Sequence, residues 1–343
     1  MSGRPLYRTA AYAALVLVAV ALVAQFTLGR DPNAQPDGLV LRNLPPLSRA
    51  TTLLLADGDR IYCHEVEGIT RSELQFRRGN TWKQVSVADL QGGSLSSGVR
   101  SELFLLGTDS YGRDMAARLV LGGKISLLIG LLAAAMAVVI GSAIGLAAGF
   151  AGGPLDSILM RCTDLALSIP RLYLALLLVA LFGPSLLNTV LILGATSWMT
   201  SARLVRGQVL ALKRNDWVAS ARAAGAGPLR QAVLHVFPGA AAPVMVEAAL
   251  RTGDSILLET SLSFLGLGVL PPAASWGSLI ADGRDRLLDA WWIATFPGLA
   301  VAVTVLVINR MGDRTAPDRQ PEAASEAVAP GRPSMPAESP SLP

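Results

Sequence analysis

The sequence predicts an all-α polytopic membrane protein of six transmembrane helices, with a small β-rich external insert between helices 1 and 2. Two observations predict the membrane class. Of all residues 52% are hydrophobic and only 16% are charged, and the uncharged residues are gathered in long runs. A third observation predicts the insert, because residues 31–100 alternate short β-prone stretches with turn-forming pairs.

The first predicted span is the run from Thr9 to Gly29. It carries no charged residue, and as a helix it is long enough to cross roughly 30 Å of hydrocarbon. Arg4 and Arg8 precede it as they would precede a signal peptide, but no small-residue cleavage motif closes it. We therefore expect residues 1–30 to form a cytoplasmic amino terminus and an uncleaved first helix.

The insert is expected to form a small β-meander. Its β-prone stretches are separated by pairs that favour turns, among them Asp57-Gly58 and Gly79-Asn80. So short a segment buries little surface by itself, so we expect it to rest on a neighbouring protein surface. The predicted strands are residues 51–55, 60–66, 74–77 and 81–87.

Five further spans are predicted within residues 101–312. The first of these five carries glycines at spacings that let helices approach closely in lipid, which places it in the interior of the bundle. The predicted spans are residues 125–155, 159–182, 186–201, 243–269 and 290–308.

The charges of the loops orient the predicted helices. Residues 203–238 carry a clear excess of Lys and Arg, whereas residues 282–289 carry more acidic than basic side chains. The positive-inside rule makes the first loop cytoplasmic and the second external, so six spans leave both termini in the cytoplasm. Residues 313–343, rich in Pro, Ala, Ser and Glu, are expected to form a disordered cytoplasmic tail. This arrangement leaves Arg113, Arg118 and Lys124 on the external side, near Asp109 and Asp114.

The sequence predicts no catalytic residues, no metal site and no cofactor. His64 and His235 lack neighbours at metal-ligand spacing. Gly122-Gly123-Lys124 lacks the earlier glycine of a phosphate-binding loop and enters a membrane span. Any process of this protein that is driven by ATP would therefore need another chain to hydrolyse the ATP. The net charge of +4 lies mainly at the ends of apolar runs, which indicates membrane orientation and not nucleic-acid binding.

Several ordered motifs then indicate a family. They are Gly107-Thr108-Asp109 with Gly112-Arg113-Asp114, Ile125-Ser126-Leu127-Leu128, Ala202-Arg203-Leu204-Val205-Arg206, the basic loop, Ser261-Leu262-Ser263-Phe264-Leu265-Gly266-Leu267-Gly268 and Ser275-Trp276-Gly277. From Leu106 to Gly312 the chain resembles the permease subunit of ABC importers, specifically the second of the two permeases of dipeptide and oligopeptide systems. The resemblance implies a bacterial inner-membrane protein that imports peptides by alternating access and performs no chemistry.

The resemblance also implies partners and a contact for them. The partners are a second permease subunit, two ATPase subunits and an external substrate-binding protein. In the family, a Glu-Ala-Ala segment and a following glycine form a coupling helix that fits a groove of the ATPase. Ala219-Ser220-Ala221 and Gly225 stand at those positions, so the family's glutamate is replaced here by Ala219. The candidate ATPase-coupling residues are Trp217, Ala219, Ser220, Ala221, Arg222, Ala223, Gly225 and Pro238.

The fifth predicted span carries four charged residues, which are Glu247, Arg251, Asp254 and Glu259. Helical rotation places the first three on one face, and Glu259 to one side of it. They form either an ion-pair cluster that stabilises the helix or a polar lining for a zwitterionic peptide, with Arg251 meeting its carboxylate. Only Glu259 matches a position where the family also commonly has an acid.

Two other functions stay open at this point. Nickel and other small solutes use very similar permeases, so the transported solute is not fixed by the resemblance. A stand-alone secondary carrier could use Glu247, Arg251 and Asp254 as a proton relay, although the internal inverted repeats common in carriers are not evident here.

Overall fold

The computed structural model describes residues 30–70 and 72–315. The predicted first helix and nearly all of the predicted tail lie outside these residues. Within them, a β-rich part of two small sheets precedes a helical part that holds the long apolar helices.

The first sheet contains three antiparallel strands in the order β2-β1-β6. Thr51 of β1 lies between Cys63 of β2 and Ser101 of β6. A turn at Asp57-Gly58 joins β1 to β2, and Gly58 has a φ of 93°, which other residues rarely adopt. The strands are β1 Ser48–Leu54, β2 Arg60–Cys63 and β6 Val99–Phe104.

The second sheet is also antiparallel, in the order β3-β4-β5. The single predicted meander is therefore wrong, because the predicted strand 60–66 is divided at His64 between two sheets. Strand β6 was not predicted, and it carries the sheet past the predicted boundary at residue 100. The strands are β3 Glu65–Thr70, β4 Glu73–Arg78 and β5 Thr81–Ser86.

The insert has an apolar core of its own, to which both sheets contribute. Leu53 and Cys63 come from the first sheet, and Leu74 and Phe76 come from the second. Leu90, in the connection after β5, packs against them. The connection after β5 contains 3₁₀ turns at Val87–Asp89 and Gln91–Gly93 and a helical turn at Leu95–Gly98.

The insert is joined to the helices through Thr108. Its hydroxyl donates to the carbonyl of Leu41 and accepts from the amide of Leu44 at 2.8 Å. Its own carbonyl accepts from Trp292 Nε1 at 3.1 Å. One buried threonine therefore binds the loop before β1 to the start of the last helix.

Nine helices of eight or more residues lie in the described part of the chain. Aspartate and serine side chains cap several of them, such as Asp114, which accepts from the amides of Ala116 and Ala117. The helices are α1 Met115–Ala151, α2 Gly153–Ser168, α3 Arg171–Phe182, α4 Leu186–Ala195, α5 Trp198–Leu212, α6 Asp216–Ala223, α7 Phe237–Phe264, α8 Trp276–Gly283 and α9 Trp292–Thr315. A short helix Pro228–Arg230 and a π-helical turn Gln231–Val236 lead directly into α7.

Three of the described helices are long and apolar enough to cross a membrane, namely α1, α7 with its lead-in from Pro228, and α9. The third predicted span is instead a pair, α2 and α3, bent by 83°. Pro170 explains the break, because the residue before a proline avoids the helical conformation. The fourth predicted span is divided at Thr196-Ser197 and continues to Leu212. The basic loop predicted for residues 203–238 therefore begins within α5 and ends within α7.

Helices α1 and α5 pack backbone to backbone, which confirms the predicted role of the glycines. A Cβ on Gly141 would lie 2.6 Å from the carbonyl oxygen of Trp198, and one on Gly145 only 2.4 Å from that of Ala202. Gly149 similarly contacts Val209. Side chains larger than hydrogen would force the two helices apart.

Candidate coupling segment and charged face of helix α7

The candidate coupling segment is α6 with the turn that follows it. Gly225 has a φ of 83°, and its amide donates to the carbonyl of Arg222 at 3.0 Å. The amide of Ala226 donates to the carbonyl of Ala221, also at 3.0 Å. These two bonds form a Schellman motif. Because nothing would lie within 4 Å of a Cβ on Gly225, glycine is needed there for its backbone conformation and not for space.

One side of α6 is anchored and the other is free. Val218 is fully buried in a cluster with Val209, Val236 and Ala240. Trp217 is 41% exposed, and its ring also lies near Gly239 of α7. The free side is formed by small or exposed residues, which are Ala219, Ser220, Ala221, Arg222, Ala223 and Gly225.

Pro238 is the one candidate coupling residue outside this segment. It lies exposed in the first turn of α7, where a proline is tolerated. The adjacent Gly239 faces Trp217, since a Cβ on Gly239 would lie 3.8 Å from Trp217 Cη2. Pro238 is therefore near the start of α6 even though it belongs to another helix.

Three charged residues of α7 form one ion-pair cluster, as their predicted common face requires. Arg251 Nε lies 2.9 Å from Glu247 Oε1, without the alignment of a hydrogen bond. Arg251 Nη1 lies 3.1 Å from Asp254 Oδ2. Glu247 also accepts a hydrogen bond from Ser201 of α5 at 3.2 Å. Glu247 is buried, whereas the side chain of Asp254 is 46% exposed.

Glu259 is separate from this cluster. It is 0% exposed and accepts hydrogen bonds from Ser126 of α1 at 3.2 Å and from Ser263 at 2.6 Å. Ser263 and Ser275 lie 3.3 Å apart, and the Ser126 hydroxyl accepts from the amide of Trp276 at 3.0 Å. The four residues predicted to line one substrate path thus occupy two places, and Glu259 is enclosed among hydroxyl groups that join α1, α7 and α8.

Arg171 is a charged residue in this region that the sequence interpretation missed. It follows Pro170 at the break between α2 and α3, and it lies within electrostatic range of Arg251 and Asp254. The available signal was an arginine in the middle of the predicted apolar span 159–182, whose other charged residues, Arg161 and Asp164, lie near its start. Charges in such spans are costly and usually functional.

Two further arginines, Arg113 and Arg118, are neutralised by aspartates. Arg113 Nε donates to Asp109 Oδ2 at 2.6 Å, and Arg118 Nε lies 3.5 Å from the same oxygen. Both guanidinium groups also face Asp282 of α8, at 3.6 and 3.8 Å. This network gives a structural role to two of the three cations that contradict the positive-inside pattern, because Arg113 and Arg118 bind α8 to the start of α1.

Comparisons with known proteins agree with this architecture. The family model described as "Binding-protein-dependent transport system inner membrane component" matches residues 141–319, more than half of the chain. The dipeptide transport system permease protein DppC of Escherichia coli K12 is 48% identical over 209 residues, which are 61% of this chain and 70% of that protein.

Other relatives have similar names. The di/tripeptide permease protein DppC of Pseudomonas aeruginosa UCBPP-PA14 is 41% identical over 210 residues, covering 61% of this chain and 69% of the relative. The oligopeptide permease protein OppC of Escherichia coli K12 is 44% identical over 207 residues, which are 60% of this chain and 68% of the relative. The chain is therefore a multi-pass membrane protein of the binding-protein-dependent transport family, a permease subunit of an ABC importer.

Proposed function

We propose that this subunit imports peptides, as one of two permease chains that together line a translocation pore. The observation that carries the proposal is the identity of 41 to 48% with permeases named for dipeptide, di/tripeptide and oligopeptide transport, over about two thirds of their length. In this proposal an external binding protein delivers the peptide, and two ATPase subunits drive alternating access at the bacterial inner membrane.

The coupling segment is the contact proposed for an ATPase subunit. An exposed helix of small side chains, anchored by the buried Val218, can approach a partner surface closely while remaining fixed to the bundle. Val218 packs against residues of α5 and α7, so movement of α6 would reach both helices. Ala219 removes the carboxylate of the family pattern, and the contact proposed here relies on packing.

The alternatives have less support. The relatives described above are named for peptides, and none of those names refers to nickel. The carboxylates that a proton relay would use, Glu247 and Asp254, are both paired with Arg251. Family membership also implies a partner that hydrolyses ATP, which a secondary carrier does not need.

Uptake by the whole complex tests the proposal. The complex is purified from its native membrane with its ATPase subunits, reconstituted into proteoliposomes and supplied with its binding protein. We expect ATP-dependent uptake of labelled trialanine and no uptake of Ni²⁺ in a parallel assay. A complex with hydrolysis-deficient ATPase subunits serves as the control. Uptake of Ni²⁺ but not peptide would refute the peptide assignment, and uptake without an ATPase would refute the importer mechanism.

A further inference from the structure

The insert contains a charged cleft that the peptide-import proposal does not use. Its volume is about 500 Å³, and it lies between one face of the first sheet, residues 30–36 and the start of α1. Tyr62 of β2 and Arg100 of β6 both pair with Thr52 of β1, which places them on the same face of the sheet. The charged residues that line the cleft are Arg30, Asp31, Arg60, Arg100, Glu102 and Asp114.

Two of these charged residues, Arg30 and Asp114, are occupied with one another. Arg30 binds one carboxylate oxygen of Asp114, and the other oxygen caps α1. The guanidinium group of Arg30 also lies over the ring of Phe104, 4.9 Å from its centroid. These contacts fix one wall of the cleft and join it to the first long helix of the bundle.

The other charges are held loosely. The carboxylate of Glu102 lies 3.8 Å from Nη2 of Arg30 and 3.8 Å from Nη1 of Arg60. The hydroxyl of Tyr62 lies 3.5 Å from it. A hydrogen bond from a guanidinium group to a carboxylate is ordinarily about 2.7–2.9 Å long. The side chain of Arg100 forms no ion pair or hydrogen bond with another described residue. Both arginines are exposed and Glu102 is half-buried, so a ligand can reach all three.

The charges that are left for a ligand have both signs. Arg60 and Arg100 are cations, whereas Glu102 and Asp31 are acids. A simple anion would meet repulsion from the acids as well as attraction to the arginines. A zwitterion would find a partner for each of its charges. Pockets for small molecules usually have volumes of about 300–1,000 Å³, so the cleft is large enough for a short peptide.

The apolar lining favours a water-soluble zwitterion over a phospholipid. The apolar side chains of the cleft are Ala34, Pro36 and Phe104. None of them is a long aliphatic chain that could pack along the acyl chain of a lipid. We propose that this cleft binds a zwitterionic peptide, with Arg60 and Arg100 on its carboxylate and Glu102 on its amino group. The site rests on the proposed function and adds a place outside the membrane helices where this subunit holds its substrate.

The test measures how peptides protect a cysteine in the cleft from a thiol reagent. Ala34 is exposed and lines the cleft, so Ala34→Cys is prepared with Cys63→Ala and Cys162→Ser. The complex is purified with its ATPase subunits and without the binding protein. We expect free trialanine to slow labelling at least fivefold at saturation. Its carboxy-terminal amide and its N-acetyl derivative should each need a concentration about fivefold higher for half-maximal protection. Gly58→Cys lies in the turn after β1, outside the cleft, and its labelling should not change.

Substitutions of the charged residues identify which end of the peptide each one binds. Arg60→Gln combined with Arg100→Gln should raise the concentration of free trialanine for half-maximal protection about tenfold, and should leave that of the amide unchanged. Glu102→Gln should weaken binding of free trialanine but not of the N-acetyl derivative. Arg49→Gln is the matched control, because Arg49 is exposed on the opposite face of β1 and does not line the cleft. It should leave protection by all three peptides unchanged.

Three results would overturn the site. They are labelling that no peptide slows, equal protection by the free and the blocked peptides, and protection by glycerophosphoethanolamine at the same concentration as by trialanine, which would assign the cleft to a lipid headgroup. If the double variant fails to assemble, the comparison of free and blocked peptides on Ala34→Cys decides alone. A complex that imports trialanine while its cleft stays unprotected refutes the site and keeps the proposed function. Failure of the wild type to import any peptide refutes the proposed function itself.

Discussion

The carboxylate of Glu259 on α7 accepts a hydrogen bond from Ser126 on α1, across the interior of the bundle. The same carboxylate accepts from Ser263, and Ser126 in turn accepts from the backbone of α8. A fully buried acid thus satisfies hydroxyl groups that would otherwise lose hydrogen bonds on burial. We assign Glu259 to the packing of three helices and not to a path for substrate.

Glu259→Leu should destabilise the complex by about 1–3 kcal/mol, because it leaves buried hydroxyl groups without an acceptor. Glu259→Gln keeps one acceptor oxygen and should therefore destabilise the complex less than Glu259→Leu does. The measurement is thermal unfolding of the purified complex in detergent. Asp164→Asn, which removes an exposed ion pair with Arg203, is the control and should stay within about 0.5 kcal/mol of wild type. Equal unfolding temperatures for all variants would remove this role from Glu259.

Gly145→Ala should separate α1 from α5. The added methyl group would lie 2.4 Å from the carbonyl oxygen of Ala202, and a backbone atom cannot move aside cheaply. We expect a loss of unfolding free energy of about 1–3 kcal/mol. Gly207→Ala is the matched control within α5, since nothing would lie within 4 Å of the new Cβ. It should be neutral or stabilising because alanine favours helix.

Gly225→Val should uncouple ATP hydrolysis from transport. A β-branched residue cannot adopt a φ of 83° without strain, so the Schellman turn after α6 would change. The readout is substrate-stimulated ATP hydrolysis by the reconstituted complex, with insertion and assembly checked separately. Gly227→Ala is the control, because Gly227 has an ordinary φ of −66°. Full stimulation by Gly225→Val would refute the coupling assignment.

Ala219→Glu restores the residue of the family pattern on the exposed side of α6. We expect it to be tolerated if the partner groove retains a complementary charge. A loss of stimulated hydrolysis would instead show that the groove of this ATPase no longer accepts the carboxylate.

Membrane orientation can be measured with single cysteines at two turns. Gly58 lies in the turn of the insert, and Gly227 lies in the turn after α6. We expect Gly58→Cys to react with a membrane-impermeant thiol reagent in spheroplasts, and Gly227→Cys to react only after lysis. Both are compared in a Cys63→Ala, Cys162→Ser background. The reverse pattern would contradict the predicted orientation.

Alkaline pH should weaken the insert through Cys63. This thiol is buried between the sheets and donates to the carbonyl of Thr51, and burial raises its pKa from the ordinary value of 9.0 to about 11. The folded state thus keeps the neutral thiol where the unfolded chain loses its proton. The resulting stabilisation is complete below about pH 9 and is lost as pH rises through about 11.

The check is the difference in thermal stability between wild type and Cys63→Ala, measured from pH 7 to 11. Subtracting the variant removes the contribution of other groups that titrate in this range. We expect the difference to decrease above pH 9, and a difference independent of pH would contradict the role of the thiol.

The sequence located the long helices and the turns, because hydrophobic runs and glycine-containing pairs are local signals. It did not predict β6, whose partner β1 lies about fifty residues earlier, and no local pattern records such a pairing. It placed Glu247, Arg251 and Asp254 correctly on one face, since helical rotation is fixed. It placed Glu259 to one side of that face but still assigned it to the same substrate path, because Ser126 reaches this carboxylate only in the folded bundle.

The close contact of α1 with α5 has a mechanical consequence. Lys213, just after α5, donates to the carbonyl of Phe150 near the end of α1, so the two helices are bound at their ends as well as along the glycines. A helix of 37 residues is about 55 Å long. In the coupling proposal, a displacement of α6 would therefore be passed to α1 together with α5. The part of α1 farthest from α6 carries Ser126 and the contacts to α8.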